Sequence, residues 1–375
     1  MLEGDDLNQK EGYEIYEPVY EDTTDESDES DWKTDRSETL LHNFQDLPDE
    51  IILKVLSYSE PNDLISSCQV SKRLRKISHD NSLWQNVFLA LKFVKTEFLA
   101  LILDKGCKSL SLSGVTILGS LFLQQKSQLR ILDLSELVEN SEVLKVMLAS
   151  CYSLQALEIH DNMITPEIAT SICQNGKTLQ KLDLDDSIVD QAALMQIIRC
   201  CQELKEVNLA DVINNREDDL SDDCLEFIAK HLCPNIEILD ISDLRFVDNH
   251  FKILFNRCNK IKELTLRSVE LSNNSLTIIR ENLSLTLEKL SLDYSDELSL
   301  IDFLERKSMP RLKFLFFEDE EDGDEAIENL RKQLPHLRIN VGFLSSKMVV
   351  DDENAYLGRT NVDFKPFISY SDSTV

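Results

Sequence analysis

The chain has 375 residues and carries 69 acidic against 39 basic side chains, a formal net charge of -30. An excess of that size argues against nucleic acid as a ligand, because phosphate backbones are held by clustered lysine and arginine, and it favours basic partners. No apolar run approaches the roughly 20 residues needed to span a bilayer. The acidic N-terminus resembles neither a secretory nor a transit signal, and the nine cysteines, an odd number, read as reduced thiols of an intracellular protein.

Residues 1–43 hold fifteen Asp and Glu against Lys10, Lys33 and Arg36, with YEDTTDESDESDW at their centre. Such a segment buries too little apolar surface to offset chain entropy, so it is expected to be a disordered acidic tail. Ser27 and Ser30 among the acids fit a phosphorylated regulatory tail or a solubilising leader equally well.

Residues 44–84 read as a small helical unit. Pro48 suits a first helical turn, and Asp49 and Glu50 favour the positive end of the helix dipole. Ile51 and Val55 then make one apolar stripe and Ile52 and Leu56 a second, which calls for one internal and one external surface. SEPNDL ends this helix and starts another, SKRLRKIS makes a third, basic helix with Lys72, Arg73, Arg75 and Lys76, and Trp84 closes the block. A unit of this size rarely builds a sufficient core alone.

After an irregular stretch over 85–106 the chain repeats itself. SQLRILDLS, YSLQALEIH, KTLQKLDLD, QELKEVNLA, PNIEILDIS, NKIKELTLR, LTLEKLSLD and PRLKFLFFE share the pattern L-x-x-L-x-L. Their last apolar positions, Leu134, Ile159, Leu184, Leu209, Ile241, Leu266, Leu292 and Phe317, are 25, 25, 25, 32, 25, 26 and 25 residues apart. CKSLSLS is a degenerate unit before them and PHLRINV a closing one. Period-two alternation gives each unit a short strand, and apolar helical stretches such as EIATSICQ and ALMQIIRCC lie between. One strand and one helix at this period predict an α/β leucine-rich-repeat solenoid over 107–342, with parallel strands on its concave face. The 32-residue interval places a rim insertion at residues 212–222. Cys107, Cys151, Cys201, Cys233 and Cys258 each stand three residues before the first consensus apolar residue of their unit, so they are expected in separate layers as small apolar plugs, not as a zinc cluster.

No Gly-rich phosphate loop, G-x-S-x-G or H-E-x-x-H occurs, and the six histidines are scattered. The chain is therefore expected to be non-catalytic, without cofactor or metal.

LPDEIILKVLSYSEPNDLISSCQVSKRLRKISHDNSLW resembles an F-box, and an F-box followed by leucine-rich repeats resembles one family of ubiquitin-ligase subunits. The resemblance implies a cysteine-containing repeat type. It implies that Leu47, Pro48, Glu50, Ile51, Ile52, Val55, Leu56, Leu64, Val70 and Trp84 dock on a Skp-family adaptor, and through it on a cullin–RING core. It further implies that the repeats capture a phosphorylated protein substrate, with a small cyclin-kinase-subunit accessory carrying the phosphate pocket. Residues 343–375 would then fold back along the concave face, with Tyr356 in a turn of that tail. The implied location is nucleus and cytoplasm. A non-degradative repeat scaffold, with the helical block as its N-terminal cap, is the alternative.

The positions between and just after the consensus residues are expected to face the concavity. They carry nine acids against Lys181, Arg267 and Lys289. The candidate substrate or accessory contacts are Asp183, Asp185, Asp240, Glu263, Arg267, Lys289 and Asp293, with Phe314 and Phe316 as apolar anchors. A face so poor in convergent Arg and Lys is not expected to read a phosphate directly.

Overall fold

The structure is a computed structural model, and it describes residues 44–89, 93–119, 126–137, 141–214, 221–293, 298, 300–317 and 324–341. The acidic tail, residues 215–220 of the rim insertion and the C-terminal tail with Tyr356 lie outside these residues. The chain divides into two compact units, 1–48 and 49–375. In the first, the described residues form a single 3-10 turn, Phe44–Asp46, closed by the Leu47 N–H donating to the Phe44 carbonyl.

The second unit begins with three helices, α1 (Asp49–Leu56), α2 (Pro61–Val70) and α3 (Lys72–Ser78). Pro61 sits in the first turn of α2, where its missing N–H leaves nothing unsatisfied. The Ser71 hydroxyl caps α3 by accepting from the Leu74 N–H. Ile52, Leu56, Leu64, Ile77 and Trp84 form the core of this block. The Trp84 indole N–H donates to the Ser78 carbonyl at 2.8 Å, which allows so large a side chain to be buried without an orphaned donor.

The repeats follow with α4 (Thr96–Asp104), α5 (Ser141–Ser150), α6 (Pro166–Cys173), α7 (Gln191–Cys200), α8 (Asp222–His231), α9 (Asp248–Phe255), α10 (Asn273–Leu283), α11 (Leu300–Leu304) and α12 (Asp324–Gln333). Polar caps start several of them. Thr165, Asp190, Ser221 and Ser272 each accept from a backbone N–H of the first turn of α6, α7, α8 and α10 respectively.

One strand per repeat joins an eleven-stranded sheet in which every pairing is parallel and in register. The central column runs Val87, Leu110, Leu132, Leu157, Leu182, Val207, Leu239, Leu264, Leu290, Leu315 and Ile339, all buried. These residues, consensus positions flanking them such as Leu134 and Leu184, and helix residues such as Ile168 and Ile197 are all buried and make up the core of the repeats. The body is a parallel-sheet solenoid-like repeat, consistent with leucine-rich repeats. Two smaller parallel ladders accompany it: Met163–Ile164, Ile188–Val189 and Ile213–Asn214, and Phe93–Lys95 with Thr116–Leu118.

Seven of the strands leave through a residue with positive φ, four positions past the central column: Gly114, Glu136, Asp161, Asp186, Asp211, Asp243 and Ser268. The N–H of each from Gly114 to Asp243 donates to a carbonyl of the next repeat, which locks the turn into the stack.

The register revises the cysteine pattern. Leu110 pairs with Leu132, so Cys107 lines up with Leu129, the first consensus position. Cys151, Gly176, Cys201, Cys233 and Cys258 occupy one column of five consecutive repeats. The expectation of reduced, separate thiols also fails at one place. In-register stacking brings the Cα atoms of Cys233 and Cys258 to 4.4 Å, within bridging reach, and the two are disulfide-bonded. Burial pushes the Cys107 and Cys201 thiols up to about 12, as suits packing residues.

Candidate protein-interaction surfaces

Two surfaces stand out, one on the helical block and one on the open face of the sheet. On α1 the two apolar stripes separate cleanly. Ile52 and Leu56 are buried in the block, whereas Ile51 and Val55 are 48% and 46% exposed. Tyr58 and Val70 are exposed beyond them, at 78% and 68%. Of the residues expected to dock an adaptor, Ile52, Leu56, Leu64 and Trp84 therefore hold the block together instead of presenting a surface. Glu50, Ile51, Val55 and Val70 lie on the outside. Leu47 and Pro48 belong to the first unit, Leu47 half-buried and Pro48 exposed.

The basic helix is partly spent within the fold. An Arg73 guanidinium nitrogen lies 2.6 Å from the Asp49 carboxylate, tying α3 to the start of α1, and the Arg75 Nε donates to the Cys68 carbonyl. Lys105 approaches His79 at both its ring and its carbonyl. Burial first, then Lys105 and Arg75, hold the His79 imidazole below its ordinary value.

On the open face, strand pairing sets the expected contact residues in three rows. Glu263, Lys289 and Phe314 stand before the central column, Asp183, Asp240 and Phe316 after it, and Asp185, Arg267 and Asp293 follow at the strand exits. All nine share that face.

Their electrostatics differ from a free acidic surface. Asp133, Asp183, Asn208 and Asp240 sit at one register position, and each side chain accepts from the backbone N–H two residues on, of Ser135, Asp185, Ala210 and Ser242. The aspartates of L-D-L thus build the strand exit, and Asp183 and Asp240 are 2% and 9% exposed. Lys181 lies 3.1 Å from both Glu158 and Glu206, Lys289 lies 2.8 Å from Glu263, and Asp293 accepts from the Ser268 N–H at 2.7 Å. Among the described residues, the open-face acids are therefore largely engaged within the chain.

The buried charges are perturbed accordingly. Burial and the neighbouring Glu158 push the Asp183 carboxyl up to about 7, against the opposing pull of Lys181. Burial works against the Lys181 ammonium, but Glu158, Glu206 and Asp183 together hold it above its ordinary value. Burial likewise raises Asp185 and Asp240. His160 Nε2 lies 4.0 Å from the Asp183 carboxylate. At the C-terminal end Phe314 and Phe316 are half-buried, and the Arg338 guanidinium lies 5.6 Å from the Phe314 ring centroid.

Sequence reasoning missed the turn role of these aspartates and the Lys181 node. The signal for the first was present: an Asp or Asn recurs at the residue after the central column in five of the described strands, as a backbone turn would require in the four where it accepts from the chain two residues on. Among the described residues, no group of three or more His, Cys, Asp or Glu is placed to hold a metal ion, and no helix is long and apolar enough to cross a membrane.

Residues 44–90 match the F-box-like family. The helical block, together with the residues that precede it, is thus an F-box-like domain. Among solved structures, the chain is similar to a chain of the Rad7–Elc1 complex of yeast, at 13% identity over 79% of this chain and 88% of that one, with a TM-score of 0.29.

Proposed function

We propose that this chain is the substrate-receptor subunit of a Skp–cullin–F-box ubiquitin ligase. The observation that carries the proposal is an F-box-like domain with Ile51 and Val55 exposed on α1, followed by an eleven-stranded repeat sheet with an open face. The exposed α1 stripe, with Glu50 and Val70, binds the adaptor, and the resemblance to an F-box makes Leu47 and Pro48 of the preceding unit adaptor contacts in their own right. The sheet face binds the substrate, and catalysis is by proximity: the receptor holds a substrate lysine near a charged conjugating enzyme and does no chemistry itself. Phe314 and Phe316 are the apolar anchors of that face.

The finer reading is a repeat body of the cysteine-containing type in a protein resembling the S-phase kinase-associated F-box protein, acting on phosphorylated cell-cycle regulators such as cyclin-dependent-kinase inhibitors in nucleus and cytoplasm. A small cyclin-kinase-subunit accessory would read the phosphate. This rests on the order of segments in the sequence: F-box, repeats with an insertion after the fourth, and a tail of about 35 residues.

A second reading is favoured by the packing between block and first repeat. Trp84 meets Phe98 of α4 edge-on at 6.3 Å, the Gln85 side-chain amide donates to the Gly106 carbonyl, and Lys105 bonds the His79 carbonyl. These contacts suit a cap on a non-degradative scaffold.

The test is affinity purification of the full chain and of an Ile51→Glu/Val55→Glu variant, both read by mass spectrometry. Adaptor and cullin recovered with the intact chain and lost with the folded variant support the ligase reading. Their absence from both overturns it and leaves the scaffold.

A further inference from the structure

The helix-covered side of the repeats carries thiols that neither surface uses. Cys173 ends α6 and Cys200 ends α7, one repeat apart, and the Cys173 thiol donates at 3.6 Å to the carbonyl of Gln196, one turn before Cys200 on α7. The two chain segments are also held close. A Cβ built on Gly176 would lie 3.1 Å from the Cys173 carbonyl and 2.4 Å from the Cys200 carbonyl, so only glycine leaves room for the α7 end to rest against the turn after α6. Cys200 is exposed and Cys173 half-buried.

We propose that Cys173 and Cys200 form a reversible dithiol site, closed to an internal disulfide by exchange with a small disulfide of the glutathione class.

A second observation points the same way. Two repeats further on, Cys233 and Cys258 are bridged across neighbouring repeats with a separation of 25 residues. The Cys173–Cys200 separation is 200 − 173 = 27. The stack therefore holds one bridge between successive repeats; Cys173 and Cys200 also belong to successive repeats, at the helix ends instead of in the shared column, and Cys200 is an exposed point of entry.

The order of attack follows from exposure. The Cys200 sulfur, as thiolate, attacks one sulfur of glutathione disulfide; that S–S bond breaks and one glutathione leaves as thiolate, which takes up a proton. The Cys173 sulfur then attacks the Cys200 sulfur of the mixed disulfide. The protein S–S bond forms, and the second glutathione leaves as thiolate and takes the proton that Cys173 gives up. Two protein thiols are oxidised and one disulfide is reduced to two glutathione thiols. Burial, then the neighbouring Cys200 and Cys201, disfavour the Cys173 thiolate, which suits it to the second, intramolecular step.

The bridge would join the helices that flank the Lys181 strand, since α6 leads into Lys181–Asp183 and α7 into Glu206–Asn208. It would fix the spacing of the repeats carrying the Glu158–Lys181–Glu206 node.

The test is equilibration of the native full-length chain with defined ratios of reduced and oxidised glutathione, followed by alkylation, non-reducing digestion and fragmentation mass spectrometry. The expected result is a Cys173–Cys200 linkage with loss of two hydrogens, reopened by excess reduced glutathione, absent in Cys200→Ser and retained in Cys201→Ser. Glutathione remaining on Cys200 beside a free Cys173 overturns the proposal. So does a linkage to Cys201, or one that forms only in denaturant. The wild-type fragmentation pattern distinguishes Cys200 from Cys201 by itself, so the result stands even where a serine variant fails to fold.

Discussion

Lys181 places its ammonium 3.1 Å from the Glu158 carboxylate of the preceding strand, with both side chains largely withdrawn from solvent. Glu206 of the following strand approaches the same ammonium at the same distance. One lysine thereby neutralises acids from two neighbouring repeats. Lys181→Met would leave Glu158, Glu206 and Asp183 facing one another without a cation. Removing one partner of a buried pair strands the other charge, so the variant should lose about 2–4 kcal/mol of stability at pH 7.5. Denaturant unfolding measures this, and the loss should shrink at pH 5, where Asp183 carries its proton. An equal loss at both pH values would show that packing of the lysine stem, not its charge, matters.

Asp183 gives the fold a pH dependence of opposite sense to a salt-bridged surface acid. Its carboxyl is raised from 3.8 to about 7, mainly by burial and secondarily by Glu158. Between those values the folded state binds a proton that the unfolded state lacks, so its contribution falls as pH rises from about 4 to about 7. Asp183→Asn keeps an acceptor for the Asp185 N–H without the charge. The variant should melt higher than wild type at pH 8 and show a flatter stability profile across that window. A variant less stable than wild type at pH 8 would mean that attraction to Lys181 outweighs the burial of the carboxylate.

The fold was legible where chemistry repeats with the period. Leu134, Ile159, Leu184 and their counterparts mark the strands, because a parallel stack puts the same apolar column in every repeat. Stretches such as EIATSICQ and ALMQIIRCC became α6 and α7. The ladder at Met163–Ile164 and Ile188–Val189 was not legible, since strands of two residues show no alternation. For the site, the two stripes of α1 separated as their spacing required. Asp183 and Asp240 were read as facing a partner because composition does not distinguish an acid on a surface from one folded onto its own backbone.

The helical block offers a clean separation of binding from stability. Ile51→Glu and Val55→Glu change exposed positions, so each should alter stability by no more than about 0.5 kcal/mol while abolishing co-purification of a Skp-family adaptor. Ile52→Ala, at 1% exposure, should cost about 2–4 kcal/mol through the cavity it opens. Calorimetry on the isolated chain and adaptor pull-down give the two readouts. Retained adaptor binding in a folded double variant would place the docking surface elsewhere.

The strand exits carry like charges in a costly conformation. Asp186 has φ 52° and lies in line with Asp161 and Asp211, all three exposed. Asp186→Gly removes both the left-handed strain and the repulsion, so it should be neutral or stabilising by up to about 1 kcal/mol. Asp186→Val keeps a Cβ, adds branching, and should destabilise by about 1–3 kcal/mol. Paired thermal melts decide this; a glycine variant that melts lower would show that the Asp186 carboxylate makes a contact worth more than its strain.

Gly176 occupies the column that holds Cys151, Cys201, Cys233 and Cys258 in its neighbours, so the column itself accepts a side chain. At this one repeat the end of α7 closes over it. A Cβ there would lie 2.4 Å from the Cys200 carbonyl oxygen and 2.9 Å from its carbon, both backbone atoms that cannot rotate away. Gly176→Ala must therefore push the α6 turn and the α7 end apart. The expected cost is at least about 1–3 kcal/mol, despite the lower entropy of the unfolded alanine chain. Cys151→Ala, in the same column, removes a buried sulfur that donates to the Met147 carbonyl and accepts from the Ser127 hydroxyl, and should cost about 1–2 kcal/mol. If the alanine at 176 proves neutral while that at 151 does not, the close approach of Gly176 to Cys200 is not a constraint of the folded protein.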